Sequence, residues 1–278
     1  MVEAYNSPLR LIVISINRSL CFVKIRRVRY TKEDMNEGRT KMKLILSPAK
    51  EMNSDALEER DWEVSPAARK VVAAVSAVPE EDLARVLGVK GKLLEENRAF
   101  IERWKVAEAA PAIELYNGLA FRWLKQVDGW NEGLGYGSDH VRILSALYGA
   151  VAPTTYIKPY RLDMLRPLRV EGQSLKAYWK AEWAELFEEG ETVVNCASDE
   201  FSTLLDRSRY NWVDVEFYEC KDGKLKQHST TSKKGRGLLV GFAMREQAED
   251  VKQLEAFCED GFTFDAELST PEKLVFVR

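Results

Sequence analysis

The 278-residue chain has only two histidines, His140 and His228, and four cysteines, Cys21, Cys196, Cys220 and Cys258, none of them in a Cys-x-x-Cys pair. So sparse a set of imidazoles and thiols argues against a zinc site. Scattered cysteines read as reduced thiols of a cytoplasmic protein rather than as a disulfide framework. No run of about 18 apolar residues occurs, so no membrane-spanning helix and no membrane partner are expected. The most apolar early stretch, "LRLIVISIN" at 9–17, is too short to span and lacks the small-residue cleavage site of a signal peptide. A Walker P-loop is missing, which leaves a nucleotide triphosphatase unsupported. So are the Glu-x-x-His and facial-triad spacings of a resident metal. No metal and no cofactor are expected, and the chain is read as a monomer.

With 45% hydrophobic and 31% charged residues, the remaining composition is that of a globular protein with one large domain or two small ones. Charge is uneven. Residues 1–41 carry nine Lys/Arg against four Asp/Glu, and the rest of the chain 32 against 40. An acidic protein binds a polyanion only if its cations gather on one surface. The basic segment includes "KIRRVRYTK" at 24–32, and a fresh strand pattern, "MKLILSPAKEM", begins at Met42. The codons of Glu37-Gly38-Arg39 are purine-rich enough to hold a ribosome-binding sequence. We therefore expect residues 1–41 to be an extension ahead of the true start, or else a basic arm, and 42–278 to form a single domain.

The elements follow from pattern. Leu44–Ser47 reads as a buried strand stopped by Pro48. Ser65-Pro66 caps a helix reaching about Val78. Pro79 with Glu80, Glu81 and Asp82 opens a second. Leu93, Leu94, Phe100, Ile101 and Trp104 mark the apolar face of a third. "GWNEGLGYG" (129–137) reads as a glycine-rich loop, 141–151 as a strand running into a turn, and Ser174 as the cap of a long amphipathic helix. "TVVNCAS" (192–198) is another buried strand. Asp222-Gly223 supplies the positive-φ turn of a hairpin. Helices over about 233–257 and two closing strands complete an interleaved pattern. That pattern predicts an α/β (α+β) fold with a mixed sheet, not an all-parallel one.

"LGVKGK" (87–92) holds two glycines between two predicted helices. Gly88 can close the first helix in the left-handed conformation. Gly91 exposes backbone N–H groups at the positive end of the next, beside Lys90 and Lys92, which suits a phosphate. The stretch resembles a helix-hairpin-helix motif, which grips DNA phosphates without reading bases. The plainer reading is a tight turn with solvated lysines.

Other groups stand out. Lys50 in "SPAK" falls just past a strand end, where ligand-facing groups gather. Lys158, Tyr160 and Arg161 share a proline-stiffened loop that suits a phosphate or a base, unless Arg161 simply pairs with Asp163. After the strand ending near Cys196 come Ser198, Asp199 and Glu200. Cys196 reads as a buried thiol, because few bases exist to activate it. Asp199 and Glu200 suit a helix N-terminus, acid/base work or a hard metal. "SKKGRG" (232–237) clusters Lys233, Lys234 and Arg236 ahead of a helix and could hold phosphate.

Taken in order, "LILSPAKEM", "RILSALYGAVAP", "KPYRLDM", "VVNCASDEF", "KKGRGL" and "EDGFTFD" resemble the peroxide stress protein YaaA family over about 43–278. The resemblance implies a compact α/β fold with a helix-hairpin-helix element and a positively charged cleft. It implies a cytoplasmic protein that binds DNA without sequence preference and limits oxidative damage, linked to lower unincorporated intracellular iron. By position, the hairpin is Gly88, Lys90, Gly91 and Lys92, and the cleft is Lys50, Lys158, Arg161, Lys233, Lys234 and Arg236. Two other readings compete. One is an enzyme of unknown substrate built on Lys50, Tyr160, Arg161, Asp199, Glu200 and Lys234, with Asp199, Glu200 and Tyr160 as its catalytic candidates. The other has acidic pairs sequestering iron.

Overall fold

A computed structural model describes residues 42–106 and 108–278, together with Ser15–Ile16 and Ser19–Leu20. The chain divides into two units, 1–39 and 40–278. In the first, Ser15–Ile16 and Ser19–Leu20 pair antiparallel. The expectation of a start-site extension or basic arm otherwise lies outside the described residues.

The second unit is built on one mixed sheet. Its strands are β1 (Lys43–Leu46), β2 (Val141–Ser145), β3 (Gly149–Val151), β4 (Thr192–Cys196), β5 (Asn211–Lys221), β6 (Lys224–Lys226), β7 (Thr263–Phe264) and β8 (Lys273–Val277). The order is β7-β8-β5-β4-β1-β2-β3, with β6 pairing beside β5. The five strands from β8 to β2 run parallel, while β7, β3 and β6 are antiparallel. "KLIL" and "TVVNC" are near-continuous apolar runs because β1 and β4 are covered on both faces, and Leu44, Ile45, Val193 and Val194 are fully buried. The mixed α/β expectation holds, with a parallel centre that interleaved strands and helices favour.

The chain leaves β1 for β2 on one side and later lays β4, β5 and β8 on the other, so the order reverses between β1 and β4. Open α/β sheets form a crevice at such a point, outside the carboxyl ends of the strands.

Helices α1 (Pro66–Ser76), α2 (Glu80–Leu87) and α3 (Lys92–Arg103) follow β1. The Ser65 side chain caps α1 by accepting from the Ala68 N–H, with Pro66 at the first position. Leu93 is exposed rather than part of the α3 apolar face, while Asn97 is buried and donates to the Leu93 carbonyl. The predicted loop at 129–137 is helical instead, Trp130–Gly133 leading into Leu134–His140. Two of its glycines, Gly133 and Gly137, serve close packing against Met244. The Ser174-capped helix, α5 (Leu175–Glu182), is shorter than its amphipathic pattern.

The largest correction concerns α6 (Ser229–Glu246), which already contains "KKGRG" rather than following it. Helix α4 (Leu119–Leu124) lies against it. A Cβ on Gly237 would collide with the Ala120 carbonyl, and one on Gly241 would crowd the Leu124 carbonyl at 2.7 Å. The two helices therefore touch main chain to main chain. No helix among the described residues is long and apolar enough to cross a membrane.

Candidate functional site

A cleft of about 410 Å³ opens at the carboxyl ends of β1 and β4, at the point where strand order reverses. Ser47 to Glu51 after β1 and Ser198, Glu200 and Phe201 after β4 form two walls, the 160–163 loop a third, and α4 with the start of α6 the fourth. Sequentially distant motifs meet here: Lys50, Arg161, Lys233 and Arg236 all line it.

The loop that carries Arg161 is clamped from several directions. The Tyr160 hydroxyl lies 2.9 Å from that of Tyr116 and 2.8 Å from that of Ser145. Asp163 accepts from Lys50 at 2.8 Å and from Arg166 at 3.1 Å. The Met164 N–H donates to Glu200 at 3.0 Å. Fixed main chain on both sides presents Arg161 in one place. Arg161 itself has no hydrogen-bond or ion-pair partner among the described residues, so Asp163 pairs with Lys50 and Arg166 rather than with Arg161.

Lys233 and Arg236 lie at i and i+3 in the first two turns of α6, on one side of the helix. Neither has an ion-pair partner among the described residues, and the Nε of Arg236 is buried without an acceptor. Cys196 forms part of the floor, and burial pushes its thiol up to about 12, with Arg236 pulling the other way. That keeps the thiol protonated and unreactive. Ser47 accepts from the Ser198 N–H at 2.8 Å, tying the two strand-end loops together. Burial likewise lifts Tyr160 to about 12, so its hydroxyl is a hydrogen-bonding group rather than a base.

Other predicted residues are placed elsewhere. Lys158 is buried, donates to the carbonyls of Trp104 (2.9 Å) and Val106, and lies 4.8 Å from the Trp62 ring. It neutralises the carbonyl end of α3, and burial holds its pKa below the usual lysine value. Lys234 turns away to Asp260 and to the face of Trp123, 3.6 Å from the ring centroid. Asp199 begins the short helix Asp199–Ser202 and is not among the residues lining the cleft. Among the described residues, no three His, Cys, Asp or Glu side chains converge as a metal site.

At the 88–91 turn, Gly88 is left-handed (φ 65°) and Gly91 has φ 53°. Lys90, Gly91 and Lys92 are exposed and Val89 is buried beneath them. The Lys90 and Gly91 N–H groups have no acceptor among the described residues. The Arg166 guanidinium lies directly over Gly88, in space a Cβ would fill. Arg161 also lines a small cavity with Leu87 of α2 and Asn97 of α3. The turn and the cleft are thus neighbours joined by two arginines.

Sequence reasoning missed Arg166, Arg122 and Ser47. Arg166 had a signal in its i,i+3 spacing from Asp163. Arg122, which pairs with Glu51 at 2.8 Å at the cleft edge, had none in its apolar context "LAFRWL".

The fold and site define an α/β protein with a cation-lined crevice at the switch point of its sheet. The family model described as peroxide stress protein YaaA matches residues 42–268. A UPF0246 protein of Streptococcus pneumoniae (strain P1031) is 33% identical over 240 residues, covering 85% of this chain and 99% of its own. A UPF0246 protein of Streptococcus sanguinis (strain SK36) is 31% identical over 258 residues, with the same coverage. This chain belongs to the peroxide stress protein YaaA family.

Proposed function

We propose that the protein binds DNA through its sugar-phosphate backbone, without reading sequence, as a cytoplasmic monomer acting in the peroxide stress response. The observation that carries this is the convergence of Arg161, Lys233 and Arg236, all without counter-ions, in one cleft of an otherwise acidic chain. The glycine turn beside it, with the free N–H groups of Lys90 and Gly91, extends the surface as a helix-hairpin-helix would. The link to lower unincorporated iron belongs to the same reading and rests on the family resemblance alone.

Gel shifts with duplex, bubble and single-stranded DNA across a salt series test it. Six phosphate contacts lose on the order of a thousandfold in affinity between about 50 and 200 mM salt. The Lys90→Glu/Lys92→Glu double variant weakens binding to all sequences alike. Wild-type affinity in that variant removes the hairpin from the proposal, and no binding to any of the three DNAs removes the proposal.

A second reading, an enzyme, is favoured by Lys50, Tyr160, Arg161 and Glu200 lining one cleft. The unreactive states of Cys196 and Tyr160 leave Glu200 as the acid/base candidate. This reading requires Glu200→Gln to abolish turnover of a ligand that still binds.

A further inference from the structure

We propose that the cleft is a single-nucleotide pocket, taking one nucleoside monophosphate unit with its phosphate on Arg161, Lys233 and Arg236. Where that unit belongs to a DNA strand, the inference rests on the DNA-binding reading above. A free nucleotide, or one at a phosphorylated strand end, presents the same base, sugar and phosphate, as a monoester rather than the singly charged diester of an internal unit.

Size is the first argument. About 410 Å³ falls in the range of roughly 300–1,000 Å³ typical of small-ligand sites. A duplex segment is far larger and can only lie across the rim. What enters the cleft is one unit, extruded from the stack, at a strand end, or free.

Charge is the second. The charged residues lining the cleft are Lys50, Arg122, Arg161, Lys233 and Arg236 against Glu51, Asp163 and Glu200, an excess of two positive charges. The three acids are already engaged, Glu51 by Arg122, Asp163 by Lys50 and Arg166, and Glu200 by the Met164 N–H. The surplus lies on the three cations without partners. It matches a phosphomonoester, which carries about −1.5 to −2 near neutral pH. Arginine forks suit the planar, bidentate recognition of phosphate oxygens. The buried, unsatisfied Nε of Arg236 is a donor in need of such an acceptor.

The lining is the third. Apolar side chains line the cleft beside the cations, with Leu46, Phe121, Leu162 and Phe201 contributing. A bare phosphate site needs no such floor, whereas a sugar and base do. Phosphate on the cations and base against the apolar walls is the division of one nucleotide.

Calorimetric titration of the full chain with the four deoxynucleoside 5′-monophosphates, the matching nucleosides and inorganic phosphate tests this. The expected result is saturable monophosphate binding, with nucleoside and phosphate each weaker by tenfold or more. Arg236→Gln, and separately the exposed Lys233→Gln, reduce it tenfold or more while the melting temperature confirms folding. In parallel, duplex and bubble DNA carrying 2-aminopurine report extrusion by brightening on binding, and Arg236→Gln abolishes the brightening. Equal binding of phosphate and nucleotide overturns the base-holding half and leaves an anion site. Intact DNA binding with neither monophosphate binding nor brightening overturns the inference and spares the DNA reading. Monophosphate binding without any DNA binding does the reverse and identifies the free nucleotide as the ligand.

Discussion

The ammonium of Lys50 lies 2.8 Å from the carboxylate of Asp163, although 113 residues separate them in the chain. The same carboxylate holds Arg166, which covers Gly88. One acid thus joins the strand-end loop, the arginine loop and the glycine turn.

Removing that acid separates its two effects. Asp163→Asn deletes a negative charge from the cleft and frees Lys50, so DNA affinity should rise about fivefold, equivalent to ~1 kcal/mol for one charge at a wet rim. Arg166 loses its charged partner, so stability should fall by about 1–2 kcal/mol. Gel shifts and denaturant melts on the same preparation check both. Weaker DNA binding by a folded variant would contradict the proposed placement of the ligand.

Adjacent lysines should behave differently. Lys233→Gln is expected to lower affinity for every sequence and to flatten the slope of log K against log salt by about 0.9, one phosphate contact. Lys234→Gln should leave that slope alone and cost up to about 1–2 kcal/mol of stability, through loss of the Asp260 pair and the Trp123 contact. Equal salt slopes for the two variants would show that the helix face has been misassigned.

Lys158 is expected to matter for folding alone. Lys158→Met keeps the volume but strips the donor from the carbonyls of Trp104 and Val106, at about 1–3 kcal/mol for the part-buried Trp104 carbonyl, since that of Val106 still accepts from the Glu108 N–H at 2.9 Å. Thermal melting should fall while the DNA salt slope is unchanged. A variant as stable as the parent sinks this assignment.

Alkaline pH should expose the tyrosine cluster. Burial raises Tyr160 and Tyr178 to about 12 from the ordinary 10, and Tyr116 and Tyr148 well above it. The folded protein keeps protons that the unfolded chain gives up. The resulting stability is therefore complete below pH 10 and is lost as pH climbs from 10 through 12. Lys158 has the opposite sign, its burial cost fading as pH passes 10.5, and one lysine offsets only part of four tyrosines. Denaturant midpoints should fall steeply above pH 10, together with the appearance of tyrosinate absorbance. Tyr160→Phe should soften the fall; a flat profile would refute the account.

Much of this was legible in the sequence, for local reasons. The capping Ser65-Pro66 pair, the Asp222-Gly223 hairpin turn and the apolar runs of β1 and β4 depend on neighbours in the chain, so pattern sufficed. The cleft motifs were found as pieces, because strand ends and glycine-lysine clusters announce themselves. Their convergence was not legible, since it depends on the reversal of strand order between β1 and β4. Lys158 and Lys234 misled because a buried cation and a surface cation share one letter, and only tertiary partners tell them apart. The stretch at 129–137 misled because Gly133 and Gly137 serve tight packing, a demand set by Met244 more than a hundred residues away.

The main-chain seam between α4 and α6 bears on how such a pocket can diverge. Where backbones touch at Gly237 and Ala120, no side chain is available to be exchanged for a larger or smaller one. The spacing of the two helices cannot be changed by point mutation at this seam without prising them apart. Changes in what this protein and its relatives admit are therefore written in the side chains that face the cleft, on either bank, where substitution alters the opening and leaves the seam standing.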